Sequence, residues 1–243
     1  MSKRGLWAAR IDRMIDWTKW PVAVASVCLL PFFAWGLLRL IGHALTDPLG
    51  LMPLLLGVMG FFFLWRRWLD HSRLGRWVIT LEHELTHALF AWATGHRIVA
   101  IRASLGRGEV RFVGKGNWLI TLAPYFFPTA ALALLLLAYL MPISILPWRG
   151  FFLGVALGFH LISTYRETHR DQNDLKSVGR RFCWMFLPTA NLAVLGLLLA
   201  WAHGGSADVK IWFEHVRSPV GAFFDHWTSQ DHIARSDNRY DQK

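Results

Sequence analysis

The sequence predicts an all-α membrane protein with about six transmembrane helices and one short β-hairpin. Charged residues make up 17% of the 243-residue chain, against about 25% in an ordinary soluble domain. The shortfall is uneven: residues 21–38, 48–65, 117–148, 150–165 and 182–202 contain no Asp, Glu, Lys or Arg. Crossing the hydrocarbon core takes about 20 mostly apolar residues, within a range of roughly 17 to 25. Four of these runs are long enough, and the run from Gly150 is borderline.

Taken in order, the basic start (Lys3, Arg4, Arg10, Arg13, Lys19) precedes an apolar run, as in a secretory signal. No clear small-x-small cleavage site follows and more spans come after, so a retained anchor is expected. Helices are expected around 21–42 and 48–65. A third, from about Arg76 to Thr94, is apolar except for Glu82, His83, Glu84 and His87, and stops at Gly95, a natural C-cap. Next, Arg97 to Arg102 and Glu109 to Val113 are short, partly alternating runs on either side of Leu105-Gly-Arg-Gly108, the pattern of a β-hairpin. Helices around 119–141, 150–165 and 182–202 follow. The tail from His203 is mixed and reads as peripheral, with 211–227 a candidate interfacial helix. This order divides the chain into a basic segment with two helices (1–75), a core (76–202) and a tail (203–243).

The net charge of +10 raises a nucleic-acid reading. The basic residues stand beside span ends, however, where they meet lipid headgroups, so the expected surroundings are a bilayer and no nucleic acid. Trp7, Trp17, Trp20, Trp65, Trp68, Trp77, Trp118, Trp148 and Trp201 also fall near span ends, where an indole sits half in lipid and half in water. Lys and Arg favour an inside N-terminus only weakly. Cys28 and Cys183 both lie in apolar runs, which points away from a disulfide framework and from a cysteine-rich zinc site.

The chemistry concentrates in His83-Glu84-Leu85-Thr86-His87. Residues four apart on a helix share a face, so both imidazoles can bind one metal ion. Glu84 can then reach a water in the metal's open position and serve as general base. Ionisable groups inside a membrane helix are costly and mark function. A hydrolytic zinc site usually has three protein ligands. Glu167-Thr-His-Arg-Asp171-Gln-Asn-Asp174 is the richest source of the third. Asp174 is preferred, then Asp171, then Glu167 or His169.

His83 to His87, followed by Ala88 to Gly95 and then Arg97 to Ile101, resembles the site-2 protease class of intramembrane zinc metalloproteases. The resemblance extends over roughly residues 76–200. It implies one Zn2+ held by His83, His87 and Asp174, with Glu84 as the catalytic residue, and a hairpin folded against the membrane. Asn173-Asp174-Leu175 departs from the common pattern, in which Leu-Asp-Gly follows an Asn-x-x-Pro run. A second membrane family with the same zinc string places Glu-x-x-x-Asp on a later helix. Glu167 and Asp171 have that spacing.

The expected activity is endoproteolysis of membrane-embedded or juxtamembrane protein segments. A helical substrate must unwind before cleavage, and a hairpin edge can accept it as an added strand. Arg97, Val99, Ile101, Val110 and Phe112 are the candidate contacts. His96 and His160 are possible helpers, although packing accounts more simply for both. The alternatives are a non-proteolytic scaffold and a metal-binding or transport protein of the same fold.

Overall fold

A computed structural model of the chain describes residues 3–105, 107–140, 148–168 and 172–218. The molecule is mostly helical. The first helix, α1 (Lys3–Ala44), is 42 residues long and runs through Pro21 and Pro31 without a break. Lipid offers no water to a freed backbone group, so keeping the remaining helical bonds is the cheaper course. At 1.5 Å per residue α1 is roughly 60 Å long, about twice the hydrocarbon thickness. Its basic first half therefore projects beyond the apolar layer. There Asp12 and Ala8 are buried against the rest of the protein.

Helix α2 (Pro48–Leu64) starts at Asp47, whose side chain accepts the Gly50 N–H at 3.2 Å, and ends in a π-turn at Trp65–Leu69. Helix α3 (Arg73–Ala93) is followed by antiparallel strands β1 (Arg97–Ser104) and β2 (Arg107–Val113), with a register irregularity between Ile98 and Ala100. Helices α4 (Trp118–Leu122), α5 (Thr129–Leu140), α6 (Arg149–Glu167), α7 (Asn173–Val178) and α8 (Arg180–Gly204) come next. A ninth helix, α9, occupies 206–218.

The expectation of six spans is revised. Among the described residues three helices are long and apolar enough to cross a membrane: Gly5–Ala44, Pro48–Leu69 and Arg180–Gly204. A fourth span exists if Trp118–Tyr125 and Thr129–Leu137 count together, although they meet at 77°. The sequence suggested one helix over 119–141. Pro124 and Pro128 divide it, because each removes a backbone donor and pushes the preceding residue out of the helical region. A 3-10 turn, Ala123–Tyr125, fills the bend. Helix α3 carries His83, Glu84 and His87 and α6 carries His160 and Arg166, so neither is a purely apolar span.

Two helix pairs organise the interior. α2 and α6 pack through glycine: a Cβ on Gly57 would overlap the Phe151 carbonyl, and one on Gly154 would overlap the Leu54 carbonyl. Close approach of this kind is how helices associate where lipid removes the hydrophobic drive. Leu51, Leu54, Leu153, Leu157 and Leu198 form the cluster beside it. α1 packs along α8, where Thr189 Oγ1 donates to the Ser26 carbonyl at 2.7 Å. α9 lies over this pair, with Trp212 only 2% exposed. Residues 219–227 of the expected interfacial helix lie outside the described residues. The tryptophans divide in two: Trp17 is 86% exposed, whereas Trp65 and Trp118 are each 7% exposed and pack inside.

Candidate metal centre and active site

Helix α3 is fixed at both ends by its own sequence. Ser72 caps the start, its Oγ accepting the Gly75 N–H at 2.8 Å. At the far end Gly95 has φ +86°, a left-handed conformation that a glycine adopts without strain. The His96 N–H bonds the Ala91 carbonyl at 2.8 Å and the Gly95 N–H bonds Trp92 at 2.9 Å, which is a Schellman motif. This turn sends the chain directly into β1.

Between these ends, the four-residue spacing brings His83 Nε2 and His87 Nε2 to 3.1 Å. Asp174, in the first turn of α7, meets both: its Oδ2 is 3.5 Å from His83 Nε2 and 3.3 Å from His87 Nε2. One ligand atom from each of the three lies within 4.8 Å of the others. His87 Nδ1 stands 2.8 Å from the Ile120 carbonyl. A ring proton donated there leaves the Nε2 lone pair facing the other two residues, as metal ligation needs. Two neutral imidazoles and a carboxylate are a zinc-type donor set, so the residues present fit the ion. Burial alone would raise the Asp174 carboxyl, but hydrogen bonding to His83 and His87 overcomes it and holds the group below the usual carboxylate range. Asp174 is accordingly an anion at neutral pH.

Glu84 is 8% exposed and points at the hairpin. A Cβ on Gly108 would overlap its carboxylate, so the β2 backbone lies directly against the expected base. A cavity of about 650 Å³ opens here. Its walls are Thr80, His83, Glu84 and His87 from α3, residues 107–110 and Phe112 from β2, and Glu167 with Gln172 to Asp174. Of the expected substrate contacts, Val110 and Phe112 line this cavity. Arg97, Val99 and Ile101 are exposed on β1, outside its lining.

The other candidate ligands separate clearly. Glu167 Oε2 is 4.0 Å from His83 Nδ1 and receives Gln172 Nε2 at 2.8 Å, which puts it behind His83. His169 and Asp171 lie outside the described residues. His96 is bound at Nε2 to Asp12 (3.1 Å) and at Nδ1 to Thr94 (3.1 Å), at the base of the hairpin. His160 is 3% exposed within α6. Neither lines the cavity.

Two further contributors have no ligand or base role in the motif. Tyr125, fully buried on the 3-10 turn, donates its hydroxyl to Asp174 Oδ2 at 3.3 Å, and its ring meets His83 edge-on with centroids 5.4 Å apart. The only signal in the sequence was a phenol inside an apolar run, which needs a partner when buried. Thr86, buried one position before His87, contacts Thr129 through their hydroxyls at 2.5 Å and donates to the Glu82 carbonyl at 2.8 Å. It ties α3 to the start of α5.

Residues 51–167 match the family model described as Peptidase M50B-like. Over that segment the chain is similar to the Peptidase M50B-like family. This supports the site-2 protease class that His83 to His87 resemble. The match runs from α2 to the end of α6, so it contains His83, Glu84 and His87 and stops short of Asp174. No curated protein and no solved structure matches the chain. The family is one of peptidases, and with three or four apolar helices the chain is an integral membrane protein.

Proposed function

We propose that the protein is a zinc-dependent intramembrane endopeptidase that cleaves membrane-embedded or juxtamembrane segments of other proteins. His83, His87 and Asp174 hold one Zn2+, and Glu84 is the catalytic base. The reading is carried by the convergence of His83, His87 and Asp174 from two distant parts of the chain beside Glu84, in a cavity bordered by a strand. The catalytic core comprises residues 76–202.

A Zn2+ held by His83, His87 and Asp174 would supply Lewis acidity toward the scissile carbonyl and toward water at neutral pH. Glu84 takes a proton from the attacking water on its carboxylate and passes it to the leaving amine nitrogen. Tyr125 keeps Asp174 oriented, and Ile120 keeps His87 in the useful tautomer. Because β2 lines the cavity, an unwound substrate segment pairs along β2, with Val110 and Phe112 receiving its side chains.

Co-expression with candidate single-span membrane proteins tests this. Glu84→Gln should lower cleavage by at least about a hundredfold, the usual contribution of general base catalysis. The zinc bound at the His83–His87–Asp174 centre should be lost in His83→Ala and reduced in Asp174→Ala. Cleavage that persists unchanged in Glu84→Gln overturns the mechanism.

A further inference from the structure

The opposite end of the bundle carries a second set of two histidines and an aspartate, which the proposed reaction does not use. His43 lies in the last turn of α1, His203 in the last turn of α8, and Asp208 in the first turns of α9. The α8–α9 junction turns at Gly205, φ +67°, which folds α9 back so that Asp208 returns to His203. Asp208 is 6% exposed. One ligand atom from each of the three residues lies within 4.8 Å of the others.

The surroundings of His203 are informative. Its Nδ1 is 2.5 Å from Asp208 Oδ2, while its Nε2 faces the Asp47 backbone carbonyl at 3.3 Å. Both ring nitrogens thus face acceptor oxygens, and a neutral imidazole has one proton to give. A cation on the Nδ1 side would let the single ring proton go to the Asp47 carbonyl. The position of His43 favours that arrangement. A His–Asp pair needs no third member, yet His43 Nε2 stands 3.5 Å from Asp208 Oδ1. That is too long for a good hydrogen bond. It does match the edge of a tetrahedral zinc site, about 3.4 Å for ligand bonds near 2.1 Å. The His203–Asp208 separation has to open by about 0.9 Å to fit the same edge, a change within side-chain rotation. The Asp47 carbonyl then becomes the outer partner that orients a metal-bound histidine.

We propose that His43, His203 and Asp208 form a second divalent-cation site, suited to a zinc-like transition metal, that joins the ends of α1, α8 and α9. The neighbouring Asp47 carboxylate, 4.0 Å from His203 Nε2, is largely exposed, and the three ligands come from three helix ends, so the site's role is structural: it pins α9 at the far end of the bundle. This inference does not depend on the hydrolytic reading of His83 and His87.

The test counts metal ions in the full chain, purified in detergent, loaded with Zn2+, stripped of loose metal and measured by mass spectrometry. Wild type should hold two ions. His83→Ala with His87→Ala should hold one, and adding His43→Gln should reduce that to none. His43 is half-exposed, and its replacement leaves the His203–Asp208 pair in place, so loss of folding does not confuse the result. Co2+ in the His83→Ala/His87→Ala protein should give a tetrahedral absorption spectrum that His43→Gln abolishes. If that double variant is folded by circular dichroism and holds no zinc, or if His43→Gln leaves its ion in place, the second site is refuted. If wild type holds one ion, lost with His43→Gln and kept with His83→Ala, the second site stands and the proposed catalytic zinc falls.

Discussion

A single methyl group at residue 108 would fall on the Glu84 carboxylate, which must move to admit it. Gly108→Val should therefore displace either the base or the β2 backbone. Displacements of about 1 Å commonly cost two orders of magnitude in rate. Cleavage should fall at least about a hundredfold while zinc content stays at the wild-type level, since the atoms nearest a Cβ at residue 108 all belong to Glu84. Unchanged cleavage would show that β2 stands away from Glu84 during the reaction. Gly108 was read from the sequence only as part of a turn, since close approach between a strand and a helix leaves no periodic trace. His83, Glu84 and His87 were legible because helical spacing alone puts them on one face. Asp174 was legible only as one carboxylate among several, because what singles it out is the path of the chain between α3 and α7. Tyr125 depends on the same path and was not legible.

The contact between α2 and α6 rests on Gly150, Gly154 and Gly158, spaced four apart along one face of α6. Gly154→Leu should force the helices apart. Overpacking of this kind costs about 1–3 kcal/mol. Gly60→Leu on α2 is the control, since a Cβ there meets nothing within 4 Å. Thermal unfolding in detergent should show a lower transition for Gly154→Leu and none of that loss for Gly60→Leu. Equal effects would mean that the α2–α6 contact adds no stability. The sequence indicated α2, α3, α6 and α8 to within a few residues, because apolar runs and caps are local signals. It also indicated the hairpin, with β2 beginning two residues earlier than the alternation suggested. It missed the 77° bend after Tyr125 and the full length of α1. A polar amphipathic extension such as residues 3–20 looks like a tail until its buried Asp12, which accepts from Asn117 at 2.8 Å, shows what it docks against.

The two His–Asp clusters sit at opposite ends of α8, which links Asp174 and α7 at its start to His203 at its end. The 24 residues from Arg180 to His203 cover roughly 35 Å, slightly more than the hydrocarbon thickness. If α8 crosses the bilayer, the two clusters face different compartments. Single cysteines can read this directly. Ser177 and Ser206 are both exposed, one beside each cluster. With Cys28→Ser and Cys183→Ser removing the native thiols, Ser177→Cys and Ser206→Cys should react with a membrane-impermeant maleimide from opposite sides of sealed vesicles. Reaction from the same side would mean that α8 does not span, and the chain would then keep two straight spans and the bent pair. Opposite labelling would leave the cavity by Glu84 open to one compartment and the His43–His203 cluster to the other. Metal supply to each could then be varied independently by chelating zinc on one side of the vesicle at a time. Cleavage should respond to chelation on the Ser177 side and not on the Ser206 side.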